Sequence, residues 1–344
     1  MNRQVTIKDI ATALNLSAST VSRALHGLGT IGISTRKKII AYAEQMNYRP
    51  NVIAQSLRSQ QSRSIGVVLC NIDNNFFSEV VDGIESAASE KGYLCLFTQS
   101  RESYALELNH VEALAARNID GLLVSVSAGT KKYEHFLRLQ QSGLPIVFFD
   151  RVMEDWPAHQ VVADNFAGAY QLTNHLINEG YKCIAHISSA PHLSITKERL
   201  AGYKRALWEH AIPYSPEYVK FTKNGGASAE ENATAFRRLL AMDPKPDAII
   251  TGSDRLTLHT FSNAINHGYK VPQDIAIGGF ANLKVSNLIP PSLTCVHQPA
   301  YEMGKTATEM LIQLIGQKRT VKEMVYERKV LATTLHVGQS TMRV

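Results

Sequence analysis

Apolar residues recur three and four apart at the head of this chain, then give way beyond residue 64 to short continuous apolar runs separated by amphipathic stretches. In the head, Ile7, Ile10, Ala11 and Leu14 fall on one helical face, and Val21 and Leu25 on another. Thr6 stands at an N-cap with Asp9 three residues on, the spacing of a capping box. Asn15-Leu16-Ser17 forms a three-residue turn, Ser17 caps the second helix, and Gly27 ends it. A third helix is predicted from Ser34 or Thr35, with Ile39, Ile40, Ala43 and Met46 closing a three-helix core. Two short helices at this spacing make a helix-turn-helix pattern.

In the body, strands are predicted at 65–70, 94–98, 121–126, 145–149, 160–163, 183–187, 218–222, 248–251, 275–278 and 294–297. Helices are predicted near 76–91, 104–117, 131–142, 167–179, 198–210, 228–241, 255–267 and 300–316. Val/Ile/Leu strands alternating with helices predict parallel sheets covered on both faces. Similar sets of units before and after residue 163 predict two doubly wound lobes, one about 64–163 and 292–322, the other about 164–291 and 323–344. The expected fold is therefore an all-α helix-turn-helix head (1–48), a connector (49–63) and an α/β body (64–344). A cleft at the carboxyl ends of the strands is the natural place for a small ligand.

Charge separates the same parts. Residues 1–63 hold nine Lys/Arg and two acids, a net of +7 against +6 for the whole chain, so the body is nearly neutral. A polyanion suits the head. On the second helix, Ala18, Ser19, Ser22, Arg23 and His26 face away from the core; small residues let a helix enter a major groove, and Arg23 can reach a base edge or phosphate. A merely solvated basic bundle would not need this agreement of caps, turn and small exposed residues. In the connector, Pro50 stops the third helix and can start another over 51–58, with Ile53 and Leu57 on one face. Two readings fit it: a plain linker, or a marginal helix that orders in a minor groove with Leu57 as a wedge.

Catalytic chemistry is not expected. The chain has no P-loop, no GxSxG elbow and no HExxH or comparable ligand spacing, so neither metal nor cofactor is predicted. Residues 27–32 match GxGxxG by letter but follow a helix rather than a strand, which disqualifies them as a phosphate cradle. No apolar run approaches a membrane span and no signal-peptide core opens the chain; with four separated cysteines, a reducing cytoplasm is expected. What stands at the strand ends instead is Asp73, Phe76 and Phe77, Asp150-Arg151, Arg199, Ser253-Asp254 and Asn282. Each alone fits a helix cap or a core contact equally well. Their convergence on five strand ends suggests rings that stack on a polyhydroxylated ligand and polar groups that grip its hydroxyls.

The stretches TIKDIATALNLSASTVSRAL, STRKKIIAYAEQMNYRPN, IAQSLRS, IGVV, FFSEVVDGIESAASEKGY, IDGLLV, RLAGY and PPSLTCVHQPAYEMGKTATEMLI, with the aspartate after IVFF, resemble the lac-repressor (LacI/GalR) family over essentially the whole chain. The resemblance implies a bacterial ligand-responsive transcriptional repressor whose body has the type I periplasmic-binding-protein fold. It implies a homodimer on a palindromic operator, with paired hinge helices in the minor groove and a sugar-like effector between the lobes. Carried across, DNA contacts fall on Thr6, Ser17, Ala18, Ser19, Thr20, Ser22, Arg23 and His26, and hinge contacts on Tyr48, Asn51, Ala54 and the wedge Leu57. Effector contacts fall on Asp73, Phe76, Phe77, Asp150, Arg199, Ser253, Asp254 and Gln298. The chain departs from the pattern at Asn282, where an acid is usual and the amide would substitute, at Ser253, where Asn is usual, and at Gly338, where Arg is usual.

Overall fold

The computed structural model describes residues 5–27, 29, 31–48, 61–153, 156–283, 290–317 and 325–343. Two compact units divide the chain, residues 1–62 and 63–344.

In the first unit, helices α1 (Ile7–Ala13), α2 (Ala18–Leu25) and α3 (Ile33–Gln45) enclose Ile10, Ala11, Val21, Ala24, Ile39 and Ala43. Leu14, Leu25, Tyr42 and Tyr48 pack around this core. The turn after α1 is made by Asn15 in left-handed backbone (φ 55°), which lets Leu16 N–H reach back to the Ala11 carbonyl at 2.9 Å. Asn47 repeats the device after α3, with Tyr48 N–H on the Ala43 carbonyl at 2.8 Å. Two expectations are corrected here. Gly32 occupies the cap position of α3 with no side-chain cap bond, so Ser34 and Thr35 sit in the first turn rather than capping it. Met46 lies past the helix end and is exposed; Tyr42, and Tyr48 after the turn, pack against the core instead.

The second unit holds two six-stranded sheets. The first runs in the order β11-β5-β4-β3-β1-β2, built from β1 (Ser64–Leu69), β2 (Leu94–Gln99), β3 (Gly121–Val124), β4 (Ile146–Phe149), β5 (His159–Ala163) and β11 (Arg328–Leu331). Helices α4 (Asn75–Glu90) and α11 (Ala300–Gly316) cover one face; α5 (Tyr104–Ala115) and α6 (Glu134–Gln141) cover the other. The strand alternation assigns the faces: Ile65, Val67 and Leu69 point to α4 and α11, and Val68 points to α5 and α6. Where α4 crosses α11, a Cβ on Gly83 would lie 2.1 Å from the Tyr301 carbonyl oxygen, and one on Gly304 2.1 Å from that of Val80. Backbone rests on backbone there.

The second sheet runs β12-β10-β9-β8-β6-β7, from β6 (Ile184–Ser188), β7 (Val219–Phe221), β8 (Ala248–Thr251), β9 (Ala276–Phe280), β10 (Thr294–His297) and β12 (Thr334–His336). Its helices are α7 (Asn165–Asn178), α8 (Ser194–Glu209), α9 (Ala229–Leu240) and α10 (Asp254–Asn266). All pairings in both sheets are parallel except β10 with β12. The lobes exchange strands differently from the expected boundaries. Strand β10, expected in the first lobe, pairs with β9 of the second, and Arg328–Leu331, expected in the second, pairs with β5 of the first. The chain therefore passes between lobes after β5, after β10 and after β11.

Candidate functional site

In the head, the capping box at α1 is complete: Thr6 N–H donates to Asp9 Oδ2 at 2.8 Å and Asp9 N–H to Thr6 Oγ1 at 3.3 Å. Ser17 Oγ accepts from Thr20 N–H at 3.1 Å and lies 2.8 Å from the hydroxyls of both Ser19 and Thr20. The N-terminus of α2 thus presents a cluster of three hydroxyls on an exposed end, where the helix dipole favours phosphate. Ala18, Ser19, Arg23 and His26 are exposed, and Thr20 and Ser22 half-buried. His26 Nδ1–H donates to the Ser22 carbonyl at 2.7 Å. Tyr48 is half-buried against the head core, and burial raises its hydroxyl pKa. Asn51, Ala54 and Leu57 lie outside the described residues.

In the body, a cleft between the lobes opens at the carboxyl ends of β1, β4, β6 and β8. Its lining includes Asn74, Phe76 and Phe77 after β1, Asp150 and Arg151 after β4, Ile195 and Arg199 on α8, Ser253 and Asp254 after β8, and Gln298 at a crossing between lobes. The space between these residues is small, about 40 Å³. Each side chain is held from its own element. Asn74 caps α4 by accepting from Phe77 N–H at 2.8 Å, which fixes the two phenylalanine rings edge to face at 5.1 Å. Asp150 stands in left-handed backbone (φ 58°), a conformation costly for most residues and found at sites where geometry serves a ligand. Burial raises its carboxyl pKa, against the pull of Arg151 and Arg199. Arg199 donates to Asn165 Oδ1 at 2.8 Å, the Gly252 carbonyl at 2.6 Å and Gln298 Oε1 at 2.8 Å, with its guanidinium 3.9 Å from the centre of the Phe280 ring. Burial pushes its pKa down to about 10. Burial also raises Asp254, against hydrogen bonds from the N–H groups of Asn282 at 2.8 Å and Phe76 at 3.4 Å.

Seven of the nine expected effector residues line this cleft: Phe76, Phe77, Asp150, Arg199, Ser253, Asp254 and Gln298. The other two do not. Asp73 turns to the opposite lobe and pairs with Arg255. Asn282 is spent within the protein: its Nδ2 donates to Glu79 Oε2 at 2.8 Å and the Gln298 carbonyl at 2.8 Å, and its Oδ1 accepts from Gln298 N–H at 3.0 Å. It bridges the lobes, with both amide hydrogens and one acceptor position of its oxygen engaged by the protein. Sequence reasoning missed Glu102, Asn74 and Ile195. Glu102 accepts from Arg151 Nη1 at 2.9 and 2.7 Å and from Ala128 N–H at 2.8 Å. It follows the end of β2, so the strand-end rule that found the others reaches it too.

Residues 6–51 match the profile of bacterial regulatory proteins, lacI family, and residues 62–331 that of periplasmic binding proteins and the sugar binding domain of the LacI family. The chain is 30% identical over 319 residues to the HTH-type transcriptional repressor PurR of Vibrio campbellii, covering 93% of this chain and 94% of that one. It is 32% identical over 324 residues to catabolite control protein A of Priestia megaterium, covering 94% and 96%. Among solved structures, the transcriptional regulator CelR–cellobiose complex superposes with a TM-score of 0.72 at 26% identity, over 98% of this chain and 100% of that one. The lac repressor dimer bound to operator and the anti-inducer ONPF shares the fold, with a TM-score of 0.85 at 23% identity over 99% and 100%.

Proposed function

Because the chain belongs to the lacI family of bacterial regulatory proteins, we propose that it represses transcription from a two-fold symmetric operator, bound as a homodimer in the cytoplasm and controlled by a sugar or sugar derivative between the lobes. Its relatives are transcriptional repressors, and the chain is a regulator of transcription with a ligand-binding domain, not an enzyme. Among the described residues no helix is long and apolar enough to cross a membrane.

In this reading α2 enters the major groove N-terminus first. Ala18 and Ser19 allow close approach, Ser17, Thr20 and Ser22 meet phosphate or base edges, and Arg23 and His26 reach further along the groove. Thr6 steadies the entry of α1, and Tyr48, Asn51, Ala54 and Leu57 engage the minor groove, Leu57 as the wedge. The effector sits among Phe76, Phe77, Asp150, Arg199, Ser253, Asp254 and Gln298. A coupling of about 1–3 kcal/mol between cleft and operator suffices for a switch. The observation that carries this reading is the pairing of a basic head, whose exposed helix end is rich in hydroxyls, with a buried, charged cleft between two lobes. The cellobiose bound by CelR and the sugar-binding description of the matching body profile support a saccharide.

Selection of duplexes from a random pool by the full chain should yield a palindrome, and saccharides should change its gel-shift affinity. Arg23→Ala should weaken that affinity by about 1–3 kcal/mol. A pool with no enriched duplex, or binding indifferent to every small molecule tried, would sink the proposal.

A further inference from the structure

Arg101 and Glu102, just past β2, stand one after the other in left-handed backbone (φ 47° and 62°). Neither is glycine, and such a pair persists only where its surroundings hold it. Glu102 is 7% exposed, and three hydrogen bonds pin its carboxylate. Arg151 Nη1 donates to both oxygens, at 2.9 and 2.7 Å, and Ala128 N–H donates to Oε2 at 2.8 Å. The backbone is covered as well, since a Cβ on Gly129 would lie 2.9 Å from the Glu102 carbonyl oxygen. Glu107 accepts from the neighbouring Ser127 N–H at 2.7 Å and from the Thr130 hydroxyl at 2.7 Å. Two buried carboxylates thus hold the rim segment 127–130 from behind.

The second lobe meets this rim at two places. Ala128 packs with Leu193 and Ile195 at the start of α8. Gly225, in the turn 224–226 after β7, comes down on the carboxylate itself. A Cβ there would lie 2.5 Å from Glu102 Oε1 and 3.0 Å from Arg151 Nη2. A carboxylate at the end of a free side chain would swing out of the way of such a Cβ. This one would have to give up Arg151 and Ala128 to do so. The ion pair is therefore a rigid stop, and the second lobe reaches it with bare backbone.

We propose that Glu102 is a positioning residue of the cleft. It holds Arg151 and the rim 127–129 in place, and it forms the stop on which Gly225 sets the approach of the second lobe. The proposal rests on the cleft being the effector site and adds what fixes its rim. An ion pair serving the first lobe alone would be indifferent to the residue at 225.

Hydrogen exchange on the full chain, read by mass spectrometry over 125–130 and 222–228, tests this without any effector. Gly225→Ala should speed exchange about tenfold in both segments, although they belong to different lobes. Glu102→Asn suits left-handed backbone but falls short of Arg151, Ala128 and Gly225, and should speed exchange in 125–130 by a similar factor. Adding Gly225→Ala to it should then change 125–130 by less than about twofold, because the stop is gone. Glu102→Gln, which keeps the length, should stay as sensitive to Gly225→Ala as the parent chain. Equal effects of Gly225→Ala with Glu and with Asn at position 102 overturn the proposal. So does a rim 125–130 that ignores Gly225→Ala, an outcome that needs no variant of Glu102 to fold. Calorimetry with glucose, ribose and cellobiose as separate arms reads the effector side. Any of them that binds the parent chain should lose at least about tenfold in affinity on Gly225→Ala, and one that binds both alike also overturns the proposal. If none of the three binds, that counts against the saccharide reading alone, and the exchange results still decide the role of Glu102.

Discussion

His186 lies in the middle of β6 with both ring nitrogens buried and without hydrogen-bond partners, near the charge of Arg199. Burial, then that charge, pushes its pKa down from 6.5 to about 4. The folded state therefore binds fewer protons than the unfolded state between these values, and stability falls as pH drops from about 6.5 towards about 4. The full loss is roughly 3 kcal/mol. Asp150 and Asp254, both raised by burial, act in the opposite direction as pH falls, so the contribution of His186 is read as the difference between the chain and its His186→Phe variant. In chemical denaturation followed across pH, His186→Phe should flatten this limb; an unchanged slope would mean the imidazole titrates freely. Single residues also mark where sequence reading stops. Gly338 stands where the family pattern has Arg, and a Cβ there would meet the Ser292 carbonyl oxygen at 2.5 Å and the Leu293 carbonyl carbon at 2.7 Å. Asp73 satisfies the strand-end pattern as well as Asp150 does, yet its partner Arg255 belongs to the other lobe. Position relative to a strand is legible in sequence; the bond a side chain makes across a cleft is not.

At the scale of elements, α4 and β9 are tied through Glu79 and Asn282, an amide between a carboxylate of one lobe and the crossing strand of the other. An acid at 282, the residue the family more often shows, would face Glu79 across 2.8 Å, and two carboxylates so close cannot both ionise. Asn282→Asp should part the lobes, enlarge the radius of gyration in solution scattering and cost roughly 1–3 kcal/mol. Adding Glu79→Gln should restore both quantities, and a double variant as open as the single one would refute the tie. The ten strands and eight helices expected of the body all occur, because continuous apolar runs and helical periodicity are local signals. The strands that escaped, among the described residues, are β11 and β12. Both are edge strands of three or four residues, largely exposed, and β11 opens with Arg328 and Lys329. Such strands carry the polar, charged character that keeps an edge from pairing further, so locally they read as loop. The lobe to which β10 belongs is likewise a matter of partner, since its own pattern would suit either sheet.

For the whole molecule, the separation of charge matters most. Head and connector together, residues 1–63, carry +7 and the remainder of the chain about −1. Residues 63–344 form a compact unit of their own. That fragment should keep the full effector affinity in calorimetry and lose its affinity for duplex DNA. In the intact chain, log K should fall linearly with log salt through the head's phosphate contacts. A fragment that still binds DNA with the same salt slope would relocate the nucleic-acid site to the body.

The strand exchange between lobes also has a consequence at the ribosome. When residue 163 has emerged, five strands of the first sheet exist, but Ala300, Met303, Ala307, Met310 and Leu311, which cover one of its faces, are still untranslated. The edge strand Arg328–Leu331 comes later still. The earlier-made lobe cannot be finished before the later-made one is nearly complete, so a nascent chain halted anywhere ahead of α11 offers a sticky, half-covered sheet to chaperones and proteases.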